Sequence, residues 1–293
     1  MQVGESFAGV ATAATRVVEM YQPHAQRLFD DPLAYRLLPF GWRLFLRLAY
    51  LPGLRQLLLA VRERRMPGSL GGILCRTRYI DDVLKRSLAQ GLDQVVILGA
   101  GFDTRAYRID GMDNVRVFEV DLPGWRQEKK TRLEKVLGAV PENVTLVGID
   151  FDRQDLGDAL SAAGFHTSER TLFIWEGVTQ YLTADAVSST LAFVSDVSGA
   201  ESSIVFTYVR RGIVDGSDRP EWMGALLSFA SKVGSPMTFG LDRAELAGYL
   251  VERDLTLVED VGAADYQARY LQPVGRKLSV FDGERAAVAT VAA

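Results

Sequence analysis

The hydrophobic rhythm of the chain changes near residue 92. Before that point apolar positions recur at helical spacing, as at Ile80, Val83, Leu84 and Leu88 within the segment from Arg76 to Gly91, where glycine supplies a stop. The segment Trp42 to Leu48 sets Arg43 and Arg47 four apart on one face with apolar residues around them. Pro39, Pro52 and Pro67 divide the region into short helices, so residues 1–90 are expected to form a helical N-terminal cover. After residue 91 the pattern becomes short β-branched runs: Val95–Leu98, Val115–Val120, Val144–Ile149, Thr171–Trp175 and Ser203–Val209. Helical stretches at Trp125–Leu137 and Ala184–Val197 lie between them, which predicts parallel strands joined by right-handed crossovers. Late strands are predicted at Thr256–Val261 and Lys277–Val291, the last as a hairpin turning at Asp282-Gly283. An insert over about 210–241, rich in Gly and Ser and carrying Trp222, Met223, Phe229 and Met237, is expected to be an irregular lid or substrate wall within a 91–293 catalytic domain.

Composition narrows the classes. Of 293 residues, 48% are hydrophobic and 24% charged, which is ordinary for a globular chain and unlike a disordered one. A net charge of -4 gives no reason to expect nucleic acid as a partner. The charge is unevenly spread: residues 1–90 hold 13 Lys/Arg against 7 Asp/Glu, and the remainder 20 against 30. Between Arg36 and Arg65 stand seven arginines and one acid, Glu63, either as a solvated helix face or as an electrostatic funnel for an anionic substrate. The single cysteine, Cys75, excludes an internal disulfide and is expected to pack within a helix. The first residues lack the pattern of a signal peptide, so a cytoplasmic location is expected. Arginines and Pro52 interrupt the most apolar stretch, Leu37 to Val61, so no membrane span is expected, although a basic amphipathic helix can still touch a membrane surface. No Cys/His/Asp cluster has metal-ligand spacing, and no metal is expected. The oligomeric state is not legible.

The first chemical signal is Leu98-Gly99-Ala100-Gly101-Phe102-Asp103-Thr104-Arg105. A buried strand running into Gly-Ala-Gly has the backbone freedom to let a ligand approach the main chain at the carboxyl end of the sheet. Asp121 ends the next strand 22 positions after Gly99, the spacing at which an acid takes ribose hydroxyls in such folds, although a helix cap before Pro123 would explain it too. A dinucleotide loop wants a third glycine where this chain has Thr104, so a ligand with a ribose and no phosphates, such as S-adenosylmethionine, fits better than NAD.

The ordered set LGAGFDTRAYR, FEVDLP, GIDF and WEGVTQYL resembles the leucine carboxyl methyltransferase family, well from Arg76 to Tyr181 and more loosely through Phe239-Gly240-Leu241-Asp242. The resemblance implies an α/β, Rossmann-like class I methyltransferase fold, with a mostly parallel seven-stranded sheet flanked by helices, and S-adenosylmethionine as cofactor. It matches Arg76 to the arginine facing the donor's carboxylate, and Gly99, Ala100 and Gly101 to the loop along its methionine part. Asp121 with Leu122 match the ribose side, Asp150 with Phe151 the adenine pair, and Glu176 the acid near the amino group. One departure is Ile97, where many class I enzymes carry an acid.

Methyl transfer from a sulfonium is an in-line displacement, so alignment of the acceptor is the protein's main task. A carboxylate acceptor is already ionised, whereas a phenol gains from a general base. His24, in the N-terminal cover, could face the acceptor; the resemblance places Tyr181 and Tyr208 near the substrate pocket, with core packing as the other reading, while His166 is expected in an exposed loop. The arginine-rich cover and the lack of an obvious base favour O-methylation of a small, anionic natural-product carboxylate, with a phenolic hydroxyl as the other acceptor. An NAD(P)-dependent oxidoreductase and a non-catalytic S-adenosylmethionine binder stand as alternatives.

Overall fold

The computed structural model describes residues 3–150, 154–197, 199, 201–232 and 235–291. Five helices come first: α1 (Val3–Glu19), α2 (Pro32–Leu37), α3 (Phe40–Leu48), α4 (Pro52–Arg65) and α5 (Ser69–Ala89). Then follow β1 (Gln94–Leu98), α6 (Arg105–Arg108), β2 (Arg116–Asp121), α7 (Pro123–Leu137), β3 (Val144–Gly148), α8 (Leu156–Ala162) and β4 (Thr171–Trp175). The chain continues through α9 (Ala184–Val197), β5 (Ser203–Val209), α10 (Arg211–Asp215), α11 (Glu221–Lys232), α12 (Arg243–Val251), β6 (Leu255–Val261), α13 (Ala263–Tyr266) and β7 (Glu284–Val291). Local chemistry sets several boundaries. Asp31 accepts from Ala34 N at 3.0 Å, with Pro32 in the first turn of α2, and α7 likewise opens on a proline.

The strands form one sheet in the order β3-β2-β1-β4-β5-β7-β6. β1 to β5 run parallel, and only β7 is antiparallel to its two neighbours, so the sheet is mixed. Alternate residues of each central strand go to opposite faces. Val95, Ile97, Leu172 and Ile174 join α5 in one core, while Val96, Leu98, Phe173 and Trp175 join α9 and α12 in the other. With both faces covered, these strands have no polar side to show, hence their continuous apolar runs. α5 therefore belongs to the sheet's own helix layer: Leu74, Tyr79, Ile80 and Leu84 are fully buried on it. Cys75 is buried in the same core, as its packing role predicts.

Two expectations need correction. The hairpin over Lys277–Val291 does not form: β7 is flanked by β5 and β6, which take both of its edges and leave none for a second arm. The residues before it pass the start of α5 instead, where Phe281 N donates to Gly68 O at 3.1 Å. The insert is also helical rather than irregular, because Ile213 and Met223 find an apolar partner in Val209 and set α10 and α11 against the end of β5. The side chain of Phe229 lies outside the description.

Candidate active site

The sheet order reverses between β1 and β4, and the space beyond the carboxyl ends of those strands is the position where open α/β sheets bind ligands. The chain leaves β1 in a tight turn, with Gly99 N and Ala100 N both donating to Val120 O at 2.8 and 3.0 Å. Gly99 sits at φ +67, and a Cβ there would meet Val178 Cγ2 at 2.4 Å, so only glycine fits. Gly101 N then donates to Asp121 Oδ2 at 2.6 Å and Leu122 N to Asp121 Oδ1 at 2.7 Å. Burial pushes the Asp121 carboxyl up, against the pull of those two amides. Each oxygen still has lone-pair capacity for a further donor.

A group of buried charges surrounds this turn. Arg76, on α5, donates from Nε to Glu176 Oε1 at 2.8 Å and from Nη1 to both oxygens of Glu284 at 2.6 and 2.7 Å. Arg105 donates to Glu176 Oε2 at 2.7 Å, to Asp81 Oδ1 at 2.7 Å and to Asp103. Burial alone would raise Glu176 and Asp103. The guanidiniums outweigh it: Arg105 and Arg76 hold Glu176 below its ordinary range, and Arg105 chiefly brings Asp103 down to about 2. Thr104 has its own task. Its hydroxyl donates to Asp31 Oδ2 at 2.7 Å, and the same oxygen receives Arg16 Nε at 2.8 Å. Arg16 also reaches Phe102 O, which ties α1 and the start of α2 to the loop after β1.

These elements enclose a cavity of about 490 Å³, within the usual range for small-molecule sites. Arg76, Gly99, Ala100, Gly101, Asp121, Leu122, Asp150, Glu176 and Tyr181 all line it. Phe151 lies outside the described residues. Part of the wall is apolar, supplied by Met66, Trp222, Met223, Leu227, Met237 and Phe281, with Trp222 packed edge-on against Phe281 at 5.2 Å. Two of the candidates for the acceptor side are elsewhere. His24 has an 86% exposed side chain 3.8 Å from Asp30, because its short 3-10 turn buries no residue. Tyr208 points into the core on the α9 side of the sheet, where its hydroxyl donates to Asp260 at 3.0 Å. His166 is exposed, as expected of a loop residue. None of the seven arginines from Arg36 to Arg65 lines the cavity, so they do not form a funnel at its wall.

Asp103, Arg105, Asp81, Arg16 and Glu284 escaped the sequence reading as site residues. Asp103 and Arg105 lie within the quoted LGAGFDTRAYR, so a signal was present. Glu284 meets Arg76 across 208 positions, and no local pattern announces such a pairing.

The sequence profile of the family described as "Leucine carboxyl methyltransferase" matches residues 9–195. A Frankia alni protein bearing the name of an S-adenosyl-L-methionine-dependent methyltransferase is 38% identical over 207 residues, 70% of either chain. A Streptomyces avermitilis protein of like name is 34% identical over 258 residues, 87% of this chain and 86% of its own. Among solved structures, a Thermobifida fusca protein titled as a methyltransferase superposes with TM-score 0.55 at 15% identity, covering 81% of this chain and 88% of that one. A second, from Streptomyces avermitilis, gives TM-score 0.54 at 15% identity, over 79% and 88%. At that identity the two structures bear on the fold alone, which is that of class I methyltransferases.

Proposed function

Because the chain belongs to the leucine carboxyl methyltransferase family and is an S-adenosylmethionine-dependent methyltransferase, we propose that it methylates the carboxylate oxygen of a small, largely apolar acceptor. The membership replaces the nicotinamide-dependent alternative.

The residues fit the donor. Without a Cβ at Gly99 or Gly101, the loop lets a methionyl chain lie against main chain, and the open lone pairs of Asp121 suit a ribose diol. Among the described residues Arg76 Nη2 has no hydrogen-bond partner, so it is the donor left to meet a ligand carboxylate, while ionised Glu176 balances an ammonium. Asp150, on the cavity wall, is the acid for the adenine amino group. Once bound, S-adenosylmethionine supplies a methyl group on a cationic sulfur, a carbon that needs no further activation.

The observation that carries the choice of acceptor is the lack of a base. No histidine lines the cavity among the described residues, and of its carboxylates Asp103, Glu176 and Glu284 are each held by arginine. Burial keeps Tyr181 protonated, as a donor that can orient an acceptor and not a base that can deprotonate one. An acceptor that arrives ionised requires no base. The apolar part of the wall, with Trp222 and Met237, suits the body that carries the carboxylate, and Thr12 and Arg16 of α1 add to the same wall.

Incubation with methyl-labelled S-adenosylmethionine and a panel of apolar carboxylic acids and phenols tests the proposal. The expected product is an ester that releases labelled methanol on treatment with base. A base-stable product would make the acceptor a hydroxyl, and donor binding without turnover on any acceptor would favour a non-catalytic binder.

A further inference from the structure

Outside the cavity, α3 and α4 each carry apolar side chains that the described residues leave exposed. Nine of the twelve large exposed apolar side chains among the described residues lie between Phe40 and Val61. On α3, Phe40, Leu44 and Leu48 repeat every four residues, with Phe40 73% exposed, while Leu46 on the other side is buried. On α4, Leu54, Leu57 and Val61 form a stripe at i, i+3 and i+7, and no residue of that helix is buried. Such a concentration is unusual for a surface that faces only water.

The charge on this region is strongly unbalanced, seven arginines standing against Glu63 alone. None of the seven arginines from Arg36 to Arg65 forms an ion pair among the described residues, whereas Arg16, Arg76, Arg78, Arg105 and Arg108 all do. Arg36 and Arg55 give their hydrogen bonds to carbonyls of Val136 and Tyr21, which leaves their charge standing. Arg47, Arg64 and Arg65 are exposed. Each helix is too short to cross a bilayer, α4 being about 21 Å long, and the two meet at a bend of 110°.

We propose that α3 and α4 form a docking surface for an anionic lipid membrane, lying in the plane of its interface with the apolar face in the acyl boundary and the arginines among the headgroups. Charge selects this occupant. A second copy joined about a twofold axis would set seven arginines against seven. A nucleic acid would leave the leucines and Phe40 without apolar contact. α4 ends at Arg65, and the next residue, Met66, lines the cavity, so the surface adjoins the apolar part of the site. The inference does not depend on the proposed acceptor, because vesicle binding needs neither donor nor acceptor.

Flotation of the full chain with phosphatidylcholine vesicles, with and without phosphatidylglycerol, tests it. The protein should float only with the anionic vesicles, and raised salt should weaken the association. Neutralising three charges in R47Q/R64Q/R65Q should weaken binding by roughly 100-fold, and L44D/L57D should abolish flotation. V251D/V258D, at exposed apolar positions elsewhere, should float like the parent. If a patch variant fails to fold, the lipid and salt dependence of the parent decides. No association with anionic vesicles, equal association with neutral ones, or a dimer that the patch variants dissociate without any vesicle binding would each overturn the proposal.

Discussion

In the proposed donor site, Asp121 concentrates the chemistry in one side chain. Its two oxygens receive the amides of Gly101 and Leu122, which fixes the carboxylate against the turn it serves. Replacing it removes the proposed charge-assisted contact to the donor and also leaves both amides without their partner. Asp121→Ala is therefore expected to weaken S-adenosylmethionine binding by about 10- to 100-fold, read by calorimetry. An unchanged Kd would remove this residue from the donor site. Thr104 shows how a single position can be read correctly in one respect and incompletely in another. Its departure from glycine argues against a pyrophosphate, but its hydroxyl also joins the loop to Asp31 and Arg16, a link between segments 73 and 88 positions apart.

At the scale of elements, α11 belongs to the proposed acceptor side of the cavity. It supplies Trp222, Met223 and Leu227 to the apolar part of the cavity wall. Truncating Trp222 to alanine removes a large aromatic surface and its edge-on contact with Phe281. The expected result is an acceptor KM raised about tenfold, with the Kd for S-adenosylmethionine unchanged. A change in donor affinity of similar size would show that α11 does not act on the acceptor end alone. Elements with repeating patterns were legible: β4, β5 and α9 have the bounds that periodicity predicts. A strand was also legible within Lys277–Val291, where β7 lies, but its antiparallel pairing was not, because the free edges of β5 and β6 decide it and not its own residues.

Across the whole molecule, buried ion pairs join α1, α2, α5, the loop after β1, the end of β4 and the start of β7. Asp103 and Glu176 are ionised more readily in the folded chain than in the unfolded one. Their stabilisation is therefore complete above the ordinary carboxylate range and is lost as pH falls below it, for Asp103 toward about 2. Burial pushes Asp121 and Glu119 the other way, so their protonation offsets part of the loss at the upper end of that window. The melting temperature is expected to fall steadily from pH 5 downward; a flat profile to pH 3 would mean that the network contributes nothing net to folding.

What the sequence determined by itself is whatever depends on neighbours along the chain. Continuous apolar runs imply strands buried on both faces, Gly99-Ala100-Gly101 is a turn that only glycine can make at its first position, and Asp121 stands one strand away at the carboxyl end. Tertiary structure decided which distant charges meet. Glu284 reaches Arg76, Arg105 gathers Asp81 and Glu176, and His24 and Tyr208 are kept from the cavity. The physical reason is that an ion pair has no period: its partners are chosen by the packing of whole helices on a sheet, and that packing is written over the full length of the chain.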